Sequence, residues 1–186
     1  MMQMKNVLLS IAVLICGGPI AGQANDLVID RFEDSPNKRG DYISDTVMGG
    51  VSKGGARFRS EGDDYFARLS GNVSTENNGG FIQFRHRLTE TPPSNAKGVR
   101  LVVRGNGETY FIHLRTNGTR LPWQYYQEEF DTSAEWTEIR LPFSAFEASG
   151  RLMRTDVKIS SLRSVGVVAY RRDHTALIDV SEIGFY

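Results

Sequence analysis

Apolar and polar side chains alternate along almost the whole chain beyond residue 25. Residues 81–88 place Ile82, Phe84 and Leu88 on one face and Gln83, Arg85 and Arg87 on the other. That is the two-residue period of a strand with one side buried. Residues 99–104 are rich in branched side chains, and 109–116, 123–130, 136–141, 164–170 and 176–186 also read as strands. So do the shorter stretches at 28–32, 56–59 and 65–69. Asn106-Gly107 predicts a hairpin turn, because Asn-Gly tolerates the positive φ such turns need. Asn117-Gly118 predicts a second turn and 171–175 a polar one. No helical period is sustained, and the best helical candidate is a single turn within 142–148. Many short strands with Gly, Asn and Pro turns predict an all-β sandwich or closed barrel. The first and last strands are expected to pair, and one domain is expected to cover 25–186.

The glycine-rich stretch 45–55, DTVMGGVSKGG, invites two catalytic readings, and neither survives. Gly50-Val51-Ser52-Lys53-Gly54 matches G-x-S-x-G, but a nucleophile elbow needs a helix after the serine. Here Gly55-Ala56-Arg57-Phe58-Arg59 alternates like a strand. Gly49 and Gly54 have the spacing of a phosphate loop, yet Gly55 and Ala56 stand where Lys and Ser/Thr are required. The remaining reading is a loop that turns sharply beside a neighbouring strand, with Asp45 and Ser52 bonding its backbone. A ligand or partner contact on the same loop stays open.

Composition adds the compartment. Lys5 precedes an uncharged run at 7–16, followed by Gly17-Gly18-Pro19 and by small residues at Gly22 and Ala24. This is the pattern of a bacterial-type export signal over residues 1–24, cut after Ala24. The run is about half the ~20 residues of a membrane span. A lipid-attachment reading at Cys16 is weakened by Ile15 before it. The expected location is the periplasm. Removing the leader leaves 21 basic against 22 acidic side chains and no cysteine. Near neutrality argues against nucleic acid as a partner, and the missing thiol excludes cysteine catalysis and thiolate metal sites.

The ordered blocks of the mature chain resemble a known family. Residues 45–52 (DTVMGGVS) resemble the opening signature of the complex I intermediate-associated protein 30 family. Gly71-Asn72-Val73-Ser74 with Asn78-Gly79-Gly80-Phe81 and Arg85 is similar to its second block. Val103-Arg104-Gly105-Asn106-Gly107 with Tyr110 and Leu114-Arg115-Thr116 is similar to the third. Tyr126, Phe130, Trp136, Leu141-Pro142-Phe143 and Phe146 resemble the fourth, and residues 178–183 the last. The resemblance implies a galactose-binding-like jelly-roll β-sandwich. It also implies the family's association with assembly of NADH:ubiquinone oxidoreductase, where its best-known member is a chaperone and not a catalyst.

Candidate chemistry is sparse. His86, His113 and His174 share no metal-ligand spacing, so neither a transition metal nor a cofactor is expected. A structural calcium drawing on Asp30, Asp34 and Asp45 stays open. Adjacent Glu128 and Glu129 point to opposite faces and cannot act as the paired carboxylates of a glycosidase. Arg85, Arg87, Arg104 and Arg115, with His113, Trp123 and Tyr126, are expected to line one sheet's outer surface, where guanidinium beside aromatic rings suits carboxylates, phosphates or sugar hydroxyls. The alternative is a solvated sheet face. The candidate binding residues are therefore Asp45, Met48, Gly49, Gly50, Ser52, Arg85, His113, Arg115 and Tyr126. The leading expectation is a non-enzymatic binding protein for a protein partner, such as a membrane or envelope complex. A carbohydrate- or small-anion-binding module is the alternative. Exposed aromatics lining a groove favour the second, and a flat apolar patch beside the glycine loop favours the first.

Overall fold

The structure, a computed structural model, describes residues 26–33 and 40–186. The expected leader, its cut after Ala24, and Asp34 lie outside the described residues. The strands are β1 (Leu27–Asp30), β2 (Gly40–Ser44), β3 (Lys53–Glu61), β4 (Asp64–Val73), β5 (Phe81–Arg87) and β6 (Gly98–Gly105). They continue as β7 (Thr109–Thr116), β8 (Tyr126–Asp131), β9 (Thr137–Pro142), β10 (Glu147–Ala148), β11 (Leu162–Tyr170) and β12 (His174–Phe185). One sheet has the order β3-β4-β12-β6-β9, with β1 on β12. The other runs β10-β8-β7-β11-β5-β2. All of these pairings are antiparallel.

Alternation dictates what lies between the sheets. Val99, Leu101 and Val103 turn inward from β6, while Arg100 and Arg104 turn outward. From the facing sheet Ile112 and Leu114 of β7 and Val165 and Val167 of β11 meet them, all at or near zero exposure. Each such side chain contributes about 1.5–3 kcal/mol on burial, which is what a chain with no described disulfide rests on. The terminal strands pair as expected, Leu27 opposite Phe185. The single helical turn expected within 142–148 is a 3₁₀ turn at Phe143–Ala145.

Two expectations need correction. Gly107 does take positive φ (+82°), but the turn is not a hairpin: β6 and β7 enter opposite sheets. The polar side chains at the crossing tie the layers together instead. Tyr110 Oη donates to Asn106 Oδ1 (2.8 Å) and accepts the Leu177 amide (2.8 Å), and the Asn106 side-chain amide donates to the Thr175 carbonyl (2.8 Å). Burial pushes the Tyr110 phenol up to about 12, so it stays a neutral donor. Second, the strand expected from 123 begins at Tyr126, and Trp123 belongs to the loop before it.

Candidate functional site

The glycine loop is built around one buried carboxylate. Asp45 opens a 3₁₀ turn (Asp45–Met48) that ends at Gly49, whose φ of +94° suits glycine. Asp45 Oδ1 accepts the Ser52 amide (3.0 Å). Its Oδ2 accepts the Ser52 hydroxyl (2.5 Å) and the Gly80 (2.6 Å) and Phe81 (3.2 Å) amides. Ser52 Oγ in turn accepts the Ser74 amide (3.0 Å). Burial raises the Asp45 pKa, but the donors from Gly80, Ser52 and Phe81 outweigh it and hold the carboxyl below its ordinary value. A Cβ at Gly50 or at Gly79 would run into the Asp45 carboxylate. Asp45 and Ser52 thus face inward and knit the loop to the start of β5. Val47 and Met48 stand outward at 74% and 56% exposure.

The second set of candidate residues lies on the outer face of the β8–β7–β11–β5 sheet. Register puts Arg85, Gly166, His113 and Gln127 in one row across β5, β11, β7 and β8. Arg87, Ser164 and Arg115 form the next row toward one end, and Gln83, Val168, Phe111 and Glu129 the next toward the other. The middle of this face is closed over: Val168 has no exposure, and His113 only 8%. The cover is aromatic. Tyr125 stacks on His113 with centroids 3.9 Å apart and planes 9° apart. Its hydroxyl meets that of Tyr170 at 2.9 Å, and Tyr170 contacts Phe111 edge-on. Burial, and then the Arg171 and Arg115 charges, push His113 down to about 3, so the imidazole is neutral. His113 Nε2 and Gln127 Oε1, cross-strand partners, are buried with no hydrogen-bond partner.

Arg115 projects from this floor toward the loop that follows β7. Its guanidinium donates to the carbonyls of Thr119 (3.1 Å), Leu121 (2.8 Å) and Pro122 (3.1 Å). The loop presents Trp123 at 60% exposure. Between it and β5 opens a cleft of about 590 Å³, a size ordinary for small-molecule sites. Five arginines line it, Arg85, Arg87, Arg115, Arg120 and Arg163, with Glu90 the one acid.

The structure brings Arg85, His113 and Arg115 onto one face. Tyr126 is not there: it points into the core at 3% exposure, because Tyr125 and not Tyr126 shares the outer side. Arg104 is on the opposite sheet, pairing Asp179 (2.9 Å) and stacking on Trp136 (4.7 Å). The Asp45 loop and this face hold separate sets of contacts, so the candidate list divides in two. Of the calcium candidates, Asp45 is filled by its donors, and Asp30 accepts the Phe32 amide (2.8 Å) and lies 3.6 Å from His86 Nδ1. No group of three potential ligands stands together among the described residues. Sequence reasoning set Tyr125 on the face opposite Tyr126 but left it off the candidate list, and it missed Tyr170 and Arg171. The near-continuous apolar run of β11, SVGVVA, was the available signal, since a strand with no polar alternation is covered on both faces.

Residues 31–177 match the sequence profile of a family described as complex I intermediate-associated protein 30. No curated protein matches the chain. Among solved structures, it is similar to a family 11 carbohydrate-binding module from Clostridium thermocellum in complex with a β-1,3-1,4-mixed-linked tetrasaccharide, at 15% identity and TM-score 0.69. The match covers 86% of this chain and 94% of that one. A family 30 carbohydrate-binding module follows at 15% identity and TM-score 0.61, covering 88% of each chain. An exo-β-agarase is similar at 5% identity and TM-score 0.55, with 87% of this chain matching 25% of that one. These likenesses bear out the jelly-roll sandwich.

Proposed function

We propose, from the premise that the chain belongs to the complex I intermediate-associated protein 30 family, that it is a non-catalytic binding protein. Its ligand is a saccharide, held on the outer face of the β8–β7–β11–β5 sheet. The observation that carries this reading is the exposed Trp123, two residues before Tyr125, whose ring stacks on His113. Flat rings offer apolar area to a sugar ring at low entropic cost. The unpartnered His113 Nε2 and Gln127 Oε1 lie where a shift of the Tyr125 ring would give hydroxyl groups a donor and an acceptor. The likeness in fold to a module solved with a tetrasaccharide supports the same reading. Export through residues 1–24 would bring this face to glycans of the envelope.

The test is calorimetric titration of the mature chain with a panel of oligosaccharides, repeated on Trp123→Ala. A stacking aromatic is worth about 0.5–1.5 kcal/mol beyond its area, so loss of Trp123 should weaken binding about threefold to tenfold. A panel in which nothing binds, or in which Trp123→Ala binds as well as the wild type, overturns the proposal.

A second reading, protein-partner binding in assembly of a membrane complex, is favoured by the outward Val47 and Met48 on the glycine loop. It predicts that a membrane complex co-purifies with the wild type and is lost with Met48→Asp. Unchanged co-purification would rule that loop out as the contact.

A further inference from the structure

The two outer faces of the sandwich treat arginine differently. On the β4–β12–β6 side every guanidinium of these strands has a carboxylate: Arg68 with Asp179 (2.6 Å), Arg104 with Asp179 and Glu61 (2.8 Å), Arg100 with Glu138 (2.9 Å) and Glu182. On the other face Arg85 and Arg87 share the single carboxylate of Asp41, at 3.4 and 2.6 Å. Arg115 is paired only with backbone carbonyls, and neither Arg120, Arg163 nor Arg171 forms a salt bridge among the described residues. Besides Asp41 and Glu90, Glu129 and Glu147 stand on the same face at its β8–β10 edge, so the arginine excess is local to the β5–β11–β7 part of it. Arg115 sits in it half-buried, and burial followed by the Arg85 and Arg163 charges lowers its pKa.

At the opposite end of the aromatic floor stands Arg171. It is a non-glycine residue with φ of +69°, a strained backbone of the kind retained at binding sites. Its amide donates to the Gly80 carbonyl (2.9 Å), and its guanidinium lies over Tyr170 (4.9 Å) and Phe111 (6.0 Å). The face therefore runs from an arginine cleft, across aromatic rings, to a second cation about four strand residues, ~13 Å, away.

We propose that the ligand is an acidic oligosaccharide, with one carboxylate held among Arg85, Arg115 and Arg163 and another on Arg171, and its sugar rings over Trp123 and Tyr125. This rests on the saccharide reading above. A guanidinium fits a carboxylate in a bidentate fork, which Arg163 and Arg171 can offer, while Arg115, whose Nη2 hydrogens both go to the Thr119 and Leu121 carbonyls, adds a fixed positive charge at little loss of freedom on binding. A carboxylate also relieves repulsion that the folded chain otherwise bears.

Calorimetric titration of the mature protein tests this with three probe sets: uronic-acid oligosaccharides (galacturonate, guluronate and hyaluronan fragments), neutral β-1,3-1,4 gluco-oligosaccharides, and polyglutamate of equal charge. At least one uronic probe should bind about tenfold or more tighter than the neutral set and weaken as salt rises from about 50 to about 500 mM. Arg163→Gln and Arg171→Gln, both exposed, should each cost about fivefold to tenfold in Kd with no change in Tm. Arg163→Lys, which keeps the charge but not the fork, should cost a similar factor. Neutral sugars binding as tightly as every uronic probe would overturn this inference and leave the saccharide reading standing. Polyglutamate binding as tightly as the uronic probes, with the same arginine dependence, would overturn both the acidic-sugar assignment and the saccharide reading. No binding by any probe overturns both.

Discussion

Replacing Asp45 by Asn removes the charge from a fully buried carboxylate that accepts four hydrogen bonds. Hydrogen bonds to a charged acceptor contribute about 1.5–3 kcal/mol each. The Asn side chain keeps one acceptor oxygen but turns an NH₂ toward donors of the Ser52–Gly80–Phe81 set. About half of the stabilisation is lost and a donor–donor clash is added, so the expected cost is about 3–5 kcal/mol. With a urea m-value of about 2 kcal/mol/M, the unfolding midpoint falls by about 1.5–2.5 M. The pH dependence gives an independent check. The folded pKa of Asp45 is depressed below the unfolded value of about 3.9. Its stabilisation is therefore full above that value and is lost as pH falls through the folded pKa. Asp45→Asn has no such loss, so the wild-type and variant stability curves should converge in acid. A midpoint shift under about 0.3 M at neutral pH, or a gap that stays constant down to the acid limit, would refute the reasoning.

Other expectations follow from the same contacts. Asp179, at 3% exposure, holds both Arg68 and Arg104, so Asp179→Ala leaves two guanidinium groups facing each other and should cost about 3–5 kcal/mol in urea unfolding. His113 is depressed to about 3, so the wild type should lose stability as pH falls below about 6.5 toward that value, with a slope approaching 1.4 kcal/mol per pH unit, about the limit for one proton. His113→Phe should flatten that slope, and the imidazole resonances should not titrate between pH 8 and about pH 4; a normal titration near 6.5 refutes the burial argument. Tyr110→Phe leaves the Leu177 amide and Asn106 Oδ1 unpaired and should cost about 1–3 kcal/mol in thermal or urea unfolding. A cost near zero would show that the crossing contact between sheets is not formed in solution.

Strand alternation made most of the sandwich readable. The period of two in 81–88 and 109–116 reappears as β5 and β7 with their inward faces as expected. What alternation does not encode is partnership. Asn106-Gly107 satisfies the backbone demand of a hairpin, yet the same positive φ serves a crossing between layers, and only non-local burial decides between them. β2 went unread because GDYIS is short and half-buried at a sheet edge, where neither a polar nor an apolar pattern is enforced. At the site, Arg85, His113 and Arg115 were legible because they share a strand face. Tyr126 was misplaced because the chain enters β8 only at that residue, so the loop carries Trp123 while Tyr125 turns outward. Arg171 left no periodic trace, since it sits in a turn. In the glycine loop, Asp45 and Ser52 could be named from turn chemistry, but Gly79's contact with the same carboxylate depends on strands far apart in sequence.

The most direct test of the central claim is an amide chemical-shift titration of residues 25–186 with the tightest-binding oligosaccharide of the panel. The account predicts saturable shifts concentrated at Arg115, Trp123, Tyr125, Gln127 and Tyr170, with residues 45–52 and the outer face of the β4–β12–β6 sheet unmoved. Shifts centred on Val47 and Met48 with the sheet face silent would contradict it.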